Sequence, residues 1–273
     1  MIPVGRAFYK MSGSGNDFVM VDARSERPGV LASTAVIQRV CARGTGIGAD
    51  GIVFLEPSEQ AAVRLTYLNA DGSRADLCGN ATLCTTRLAV ELGIGKAAGF
   101  DIETDSGIVR ARLISGQPEI DLQPVSAVSG EASGIPAQHG EERIGFVVVG
   151  VPHLVIQCAD VATVDVVARG RPLRSHASLR DGANVNFVSP GANGRWRMRT
   201  YERGVEAETL ACGSGSVATA ILLTQWGCTN GKVELETSSG RVLTVTLRRD
   251  GQRWSSSLRG EGRIVYQAQL AEI

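Results

Sequence analysis

Two short runs, Cys78-Gly79-Asn80 and Cys212-Gly213-Ser214, combine residue types suited to acid–base chemistry. Each leads into a stretch of helical character, residues 80–92 (NATLCTTRLAVEL) and 214–226 (SGSVATAILLTQW). Both stretches stop at a glycine, Gly93 or Gly227, as expected of a left-handed residue just past a helix end. A cysteine at a helix start lies beside unpaired backbone N–H groups and the positive end of the helix dipole. Both favour thiolate over thiol. The following glycine lets an anionic group approach those N–H donors, and Asn80 and Ser214 suit a first helical turn. Each turn is thus a candidate base and a candidate carboxylate cradle. If two such turns close on one carbon, a thiolate can take a proton from one face while a thiol returns one to the other. That is the requirement for inverting a stereocentre, with the backbone N–H groups stabilising charge on the substrate carboxylate. A redox pair, or two buried cysteines, remains open on the residue types alone. A disulfide leaves the repeated glycines and helix starts unexplained.

The two turns belong to an internal duplication. Gly48-Ala49-Asp50 recurs as Gly182-Ala183-Asn184, Thr66-Tyr67 as Thr200-Tyr201, and Gly93 as Gly227, all at the 134-residue offset that relates Cys78 to Cys212. GNDFVMV (15–21) resembles GVPHLVI (150–156), and IETDSGIV (102–109) resembles LETSSGRV (235–242), at offsets one residue either side. A repeat of this length is two copies of a domain, not a solenoid of 20–50-residue units. Short runs such as FVMVD, GIVFLE and VRLTYLN read as strands, and strands resume after each helix. One helix among many strands, twice over, predicts an α+β protein. Residues 124–142 are rich in small, polar and turn-forming types and are expected to join the two copies. The predicted division is a first lobe over 1–118, completed by 264–273, and a second over 119–263.

Composition narrows the function classes. The 28 basic and 28 acidic side chains cancel, which leaves no basic footprint for nucleic acid. No run approaches the ~20 apolar residues of a membrane span, and the N-terminal residues do not read as a signal peptide, so a cytoplasmic location is expected. Six cysteines in that compartment are expected to be reduced, and with three histidines and no C-x-x-C pair no metal site is expected.

The blocks MSGSGNDFVMVD (11–22), GIGADGI (46–52), NADGSRADLCGN (69–80), GVPH (150–153), NVNFV (184–188) and YERGVEAETLACGSGS (201–216), taken together and in this order, resemble the diaminopimelate epimerases. The resemblance implies two pseudo-symmetric lobes, each a curved, mostly antiparallel sheet wrapped round a central helix. It implies a pyridoxal-phosphate-independent isomerase, with no cofactor, that interconverts LL- and meso-diaminopimelate in lysine and peptidoglycan synthesis. Cys78 and Cys212 become the acid/base pair, supported by His153 and Glu202. Substrate falls to Asn16, Asn69, Gly79, Asn80, Asn184, Glu202, Arg203, Gly213 and Ser214. A homodimer is implied, with Tyr266 of RIVYQ a candidate contact. An Arg offers a bidentate fork for a distal carboxylate, and amides and a carboxylate can meet a distal amino-acid end.

Three positions depart from the family pattern. Ala81 and Leu83 stand where the first turn usually has glycine and arginine, and Val151 stands where GNPH has its asparagine, so no substrate hydrogen bond is expected from Val151. The segment before Cys212 is one residue longer, which places Glu206 in a loop variant of low expected consequence. These departures motivate an alternative, a racemase of another amino acid such as histidine on the same fold. A non-catalytic relative is disfavoured because both cysteines are present.

Overall fold

The computed structural model describes residues 5–271. They fall into two compact units, one formed by Met1–Ile120 with Arg259–Ile273 and the other by Asp121–Leu258. The chain is a mixed α and β protein with few helices.

In the first unit the strands are β1 (Ala7–Gly13), β2 (Asn16–Asp22), β3 (Gly51–Glu56), β4 (Val63–Asn69), β5 (Phe100–Thr104), β6 (Gly107–Ile114) and β7 (Gln117–Val125), which runs past the unit boundary. The helices are α1 (Thr34–Cys41) and α2 (Gly79–Glu91). In the second unit β8 (Val128–Ser129), β9 (Glu141–Val149), β10 (Val151–Cys158), α3 (Val166–Arg174), β11 (Asn184–Pro190), β12 (Trp196–Glu202), β13 (Ala207–Thr209), α4 (Gly213–Gln225), β14 (Lys232–Glu236), β15 (Val242–Asp250) and β16 (Arg253–Arg259) follow in turn. The final strand, β17 (Arg263–Gln269), returns to the first unit and pairs antiparallel with β1.

The duplication extends to strand pairing. β2 runs parallel to β3 and β10 parallel to β11, while β3–β4 and β11–β12 are antiparallel. The parallel pairs β4–β5 and β12–β14 then lead into the antiparallel pairs β5–β6 and β14–β15. The central strands are buried on both faces. Val19, Val21, Ile52 and Phe54 pack in a core cluster with Val36, Ile37 and Val40 of α1. Their alternating neighbours point to the opposite face, as strand geometry requires.

The helices α2 and α4 are buried nearly all round, from Asn80 to Ala89 and from Gly213 to Leu223. α2 packs against β1, β2, β4, β6 and β17, and α4 against β9, β10, β11, β14 and β15. A helix buried on every side must satisfy its own polar side chains. Thr82, Thr85 and Thr86 donate to the carbonyls four residues back, and so do Ser216 and Thr224. Both helices end as the glycines predict. Gly93 and Gly227 have φ of +69° and +77°, and the paired C-terminal hydrogen bonds Ile94 N–H to Ala89 O and Cys228 N–H to Leu223 O are both 2.8 Å.

Two sequence expectations are corrected. Each unit carries a second helix, α1 or α3, on the outer face of its sheet, where the sequence suggested one helix apiece. These helices are short, and α3 contains Gly170 and Pro172, which hide its periodicity. Gly170 is needed there, because a methyl group on it would fall 2.5 Å from the Tyr201 side chain. Residues 124–142 do not simply join the copies. They lie within the second unit, where Ile135 enters a core cluster and Gly130 O accepts from Trp226 Nε1 at 2.8 Å.

Candidate active site

Cys78 and Cys212 are the N-cap residues of α2 and α4, with nearly the same extended backbone (φ −124°, ψ 113° and φ −136°, ψ 110°). In each turn the first helical N–H to find a carbonyl is four residues on, Thr82 to Cys78 O and Ser216 to Cys212 O, both at 2.9 Å. The three amides between cap and that bond, from Gly79, Asn80 and Ala81 or from Gly213, Ser214 and Gly215, have no intrahelical carbonyl to meet. The hydroxyls of Thr82 and Ser216 return to the same cysteine carbonyls at 2.8 and 2.9 Å. The two caps are one local structure built twice. Cys78 is half-buried and Cys212 is buried, with its Sγ 3.7 Å from Ser214 Oγ.

Around the first turn, Asn16 and Asn80 are joined. Asp50 accepts from Asn16 Nδ2 at 2.9 Å, and Asn16 Oδ1 accepts from Asn80 Nδ2 at 2.6 Å. A carboxylate can only accept, so it fixes the direction of both amides and leaves Asn80 Oδ1 as the terminal acceptor. That oxygen is buried and has no hydrogen-bond partner among the described residues. Asp50 is itself held by Arg43 at 2.8 Å, which also grips Asp17 beside Lys10. Burial alone would raise the Asp17 pKa, but the hydrogen bonds and charges of Arg43 and Lys10 together lower it. Asn69, at the end of β4, closes its own turn by donating to Ser73 Oγ at 3.0 Å.

In the second unit His153, Asn184, Glu202 and Arg203 come to one end of the β10–β11–β12 sheet. His153 lies opposite Asn184 in the parallel register, and Asn184 Oδ1 accepts the Arg203 backbone N–H at 2.8 Å. Glu202 accepts from Thr209 Oγ1 at 2.8 Å, and the Arg203 guanidinium donates to Asp181 O at 2.7 Å. His153 is fully buried, and desolvation, helped by the Arg203 charge, pushes its pKa down to about 3. Its Nδ1 lies 3.2 Å from Asn186 Nδ2, while its Nε2 is buried and has no hydrogen-bond partner among the described residues.

Asp50 and Asn186 are the residues that sequence reasoning passed over. Asn186 had a signal: it is an amide in the middle of the apolar run NVNFV, and a polar group in a doubly buried strand must be satisfied by something. A methyl group on Gly215 would fall 2.3 Å from Asn186 Oδ1 and 3.1 Å from Cys212 Sγ, so this amide lies against the second cysteine turn. The departures are accommodated differently. Ala81 and Leu83 are fully buried in α2, whereas Val151 is 37% exposed at the start of β10. Glu206 is less loose than expected. Its carboxylate accepts from Gly204 N–H at 3.0 Å and Arg174 Nε at 2.7 Å.

The family model for diaminopimelate epimerase matches residues 8–128 and 145–265, one stretch in each copy of the repeat. A diaminopimelate epimerase of Gemmatimonas aurantiaca is 47% identical over 97% of this chain and 99% of that protein. The chain belongs to the diaminopimelate epimerase family. The enzyme of the same name from Aquifex aeolicus is 39% identical over 89% of this chain and 90% of its own length. Among solved structures, a PhzF-family phenazine biosynthesis protein of Bacillus anthracis covers 99% of this chain and all of its own at a TM-score of 0.74 and 18% identity. A hydroxyproline epimerase of Agrobacterium vitis covers 98% of this chain and 92% of its own at a TM-score of 0.70 and 16% identity. At that distance these two share the fold with the family. Membership makes the chain an isomerase acting on a small molecule. Among the described residues no helix is long and apolar enough to cross a membrane.

Proposed function

We propose that this chain epimerises LL-diaminopimelate to meso-diaminopimelate at Cα with Cys78 and Cys212 as a thiolate/thiol pair. The observation that carries the reading is the repeated cap: two cysteines with the same backbone geometry, each followed by three amides without an intrahelical partner. One thiolate takes the Cα proton and becomes a thiol. The other thiol gives its proton to the opposite face of the carbanion and becomes a thiolate, so the charge and proton count are unchanged. The amides after each cysteine hold the reacting carboxylate, where charge develops. The unpartnered Asn80 Oδ1 receives the α-ammonium, because a buried acceptor gains most from a charged donor. Asn69, Asn184, Glu202 and Arg203 take the distal amino-acid end, and His153 supports the thiols.

The second reading is a racemase of another amino acid such as histidine. Val151 favours it, since its exposed side chain offers no hydrogen bond. Solvent deuterium incorporation at Cα separates the two. With purified reduced protein, exchange is expected for LL-diaminopimelate and not for histidine or lysine; the reverse outcome overturns the substrate assignment. We further assign the chain to the cytoplasm, where its six cysteines stay reduced, and to a homodimer. Support for the latter is the exposed apolar face of β17, where Val265 and Tyr266 are 46% and 43% exposed and Tyr266 stacks edge-on against Phe8.

A further inference from the structure

Asn186 is fully buried on β11, between Val155 of β10 and Thr200 of β12. Its neighbours dictate which way its amide points. Leu154 O, 3.1 Å away, can only accept, so the amide edge that meets it is the NH2 group. On the other edge Thr200 Oγ1 donates to Asn186 Oδ1 at 3.0 Å. The second hydrogen of the same NH2 group meets His153 Nδ1 at 3.2 Å. Nδ1 therefore accepts, and the proton of the neutral ring sits on Nε2. Full burial and the nearby Arg203 charge keep the ring neutral down to pH 3 or so, and among the described residues Nε2 has no hydrogen-bond partner.

We propose that Asn186 is a positioning residue that locks His153 as a neutral Nε2–H donor reserved for an anion of the reaction. The inference rests on the two-thiol reading and deepens it. A ring held in this way donates a hydrogen bond and does not ferry protons, which leaves proton transfer to the cysteines. Because the same amide lies against Gly215, in the first turn of the helix that Cys212 caps, the ring and the second cysteine turn share one support. The anion is a thiolate or the substrate carboxylate, both acceptors of an N–H bond.

The test is long-range 1H–15N NMR on the full chain carrying 15N-histidine, with His153 assigned by the loss of its signals in His153→Gln. The Nε2–H tautomer is expected throughout pH 6–8. Asn186→Asp presents an acceptor to Nδ1, so it should move the proton to Nδ1 or charge the ring. It should also lower kcat about tenfold or more with a smaller change in KM, as loss of an outer support does. Thr200→Val, which removes only the donor to Oδ1, should give a smaller loss in the same direction and keeps the test available if the aspartate variant does not fold. An Nδ1–H or imidazolium pattern in the unaltered protein overturns the inference, as does an unchanged tautomer and kcat in Asn186→Asp. Adding diaminopimelate to the inactive Cys78→Ala variant separates the acceptors. A shift of the His153 Nε2–H signal on addition assigns the carboxylate; a shift that follows pH without ligand in the unaltered protein assigns a thiolate; no shift in either overturns the reservation for an anion. Retained epimerisation by Cys78→Ala or Cys212→Ala would sink the two-thiol reading and leave the tautomer result standing.

Discussion

The first cysteine turn is backed by charge and the second by neutral polar side chains, although the two caps are the same local structure. Behind Cys78 the chain of bonds runs Asn80, Asn16, Asp50, Arg43 and ends in ionised groups near the surface. Beside Cys212 it runs His153, Asn186, Thr200 and stays within a doubly buried sheet. The first chain ends in a spare acceptor, Asn80 Oδ1, and the second in a spare nitrogen, His153 Nε2. Duplication fixed the backbone that creates the amide cradle. Divergence of the side chains behind it gave the two cradles opposite unmet hydrogen-bonding needs.

The largest expected effect breaks the likeness between the caps. Cys78→Ala and Cys212→Ala should each lower the epimerisation rate by roughly 10³-fold or more, since the proposed two-thiol mechanism needs both thiols. Initial rates from both stereoisomers check this, and near-normal turnover in either variant would show that the caps are not equivalent partners.

The next contrast is between Gly215 and Ala81, which occupy the same position of the repeat. Gly215→Ala should cost about 1–3 kcal/mol of stability by overpacking against Asn186 Oδ1 at 2.3 Å, with loss of activity. The reciprocal change Ala81→Gly should cost only about 0.5–1 kcal/mol, the usual difference in a helix. Urea midpoints at constant m-value measure both. A tolerated alanine at Gly215 would mean that the second turn is no tighter than the first.

A pH series sharpens the neutral character of the second network. The folded pKa of His153 is about 3, below the ordinary value of 6.5, so the unfolded chain binds the proton first as pH falls. The stability this ring contributes is fully present above about pH 6.5 and is lost as pH drops towards 3, by up to about 1.4 kcal/mol per pH unit. His153→Leu should flatten that part of the stability curve relative to the unaltered protein. Parallel curves would mean that the ring takes up its proton as readily in the folded state as in the unfolded one.

The smallest expected effect lies in the charged network. Asp50→Asn replaces the accept-only carboxylate that orients Asn16 and Asn80 with an amide that can present either edge, and should raise KM by up to about tenfold while changing kcat less. A fall in kcat at constant KM would show that Asp50 acts on the thiol and not on substrate orientation.

By itself the sequence determined the duplication, the two cysteine caps and the glycines that end both buried helices. These rest on local chemistry: a helix start, a left-handed stop and a repeated spacing are all written within a few residues. It also placed His153, Asn184, Glu202 and Arg203 in motifs that the fold brings to one sheet end. The tertiary structure alone decided the outer helices α1 and α3, whose short segments become helical because Val36, Ile37 and Val40, or Val166 and Leu173, find a sheet to cover. It alone decided which amide oxygens are spare. Asn16, Asn80 and Asn186 are the same residue type, and their direction is set by neighbours far along the chain, Asp50 in one unit and Leu154 O in the other. Hydrogen-bond direction depends on what lies opposite, and no residue carries that information alone.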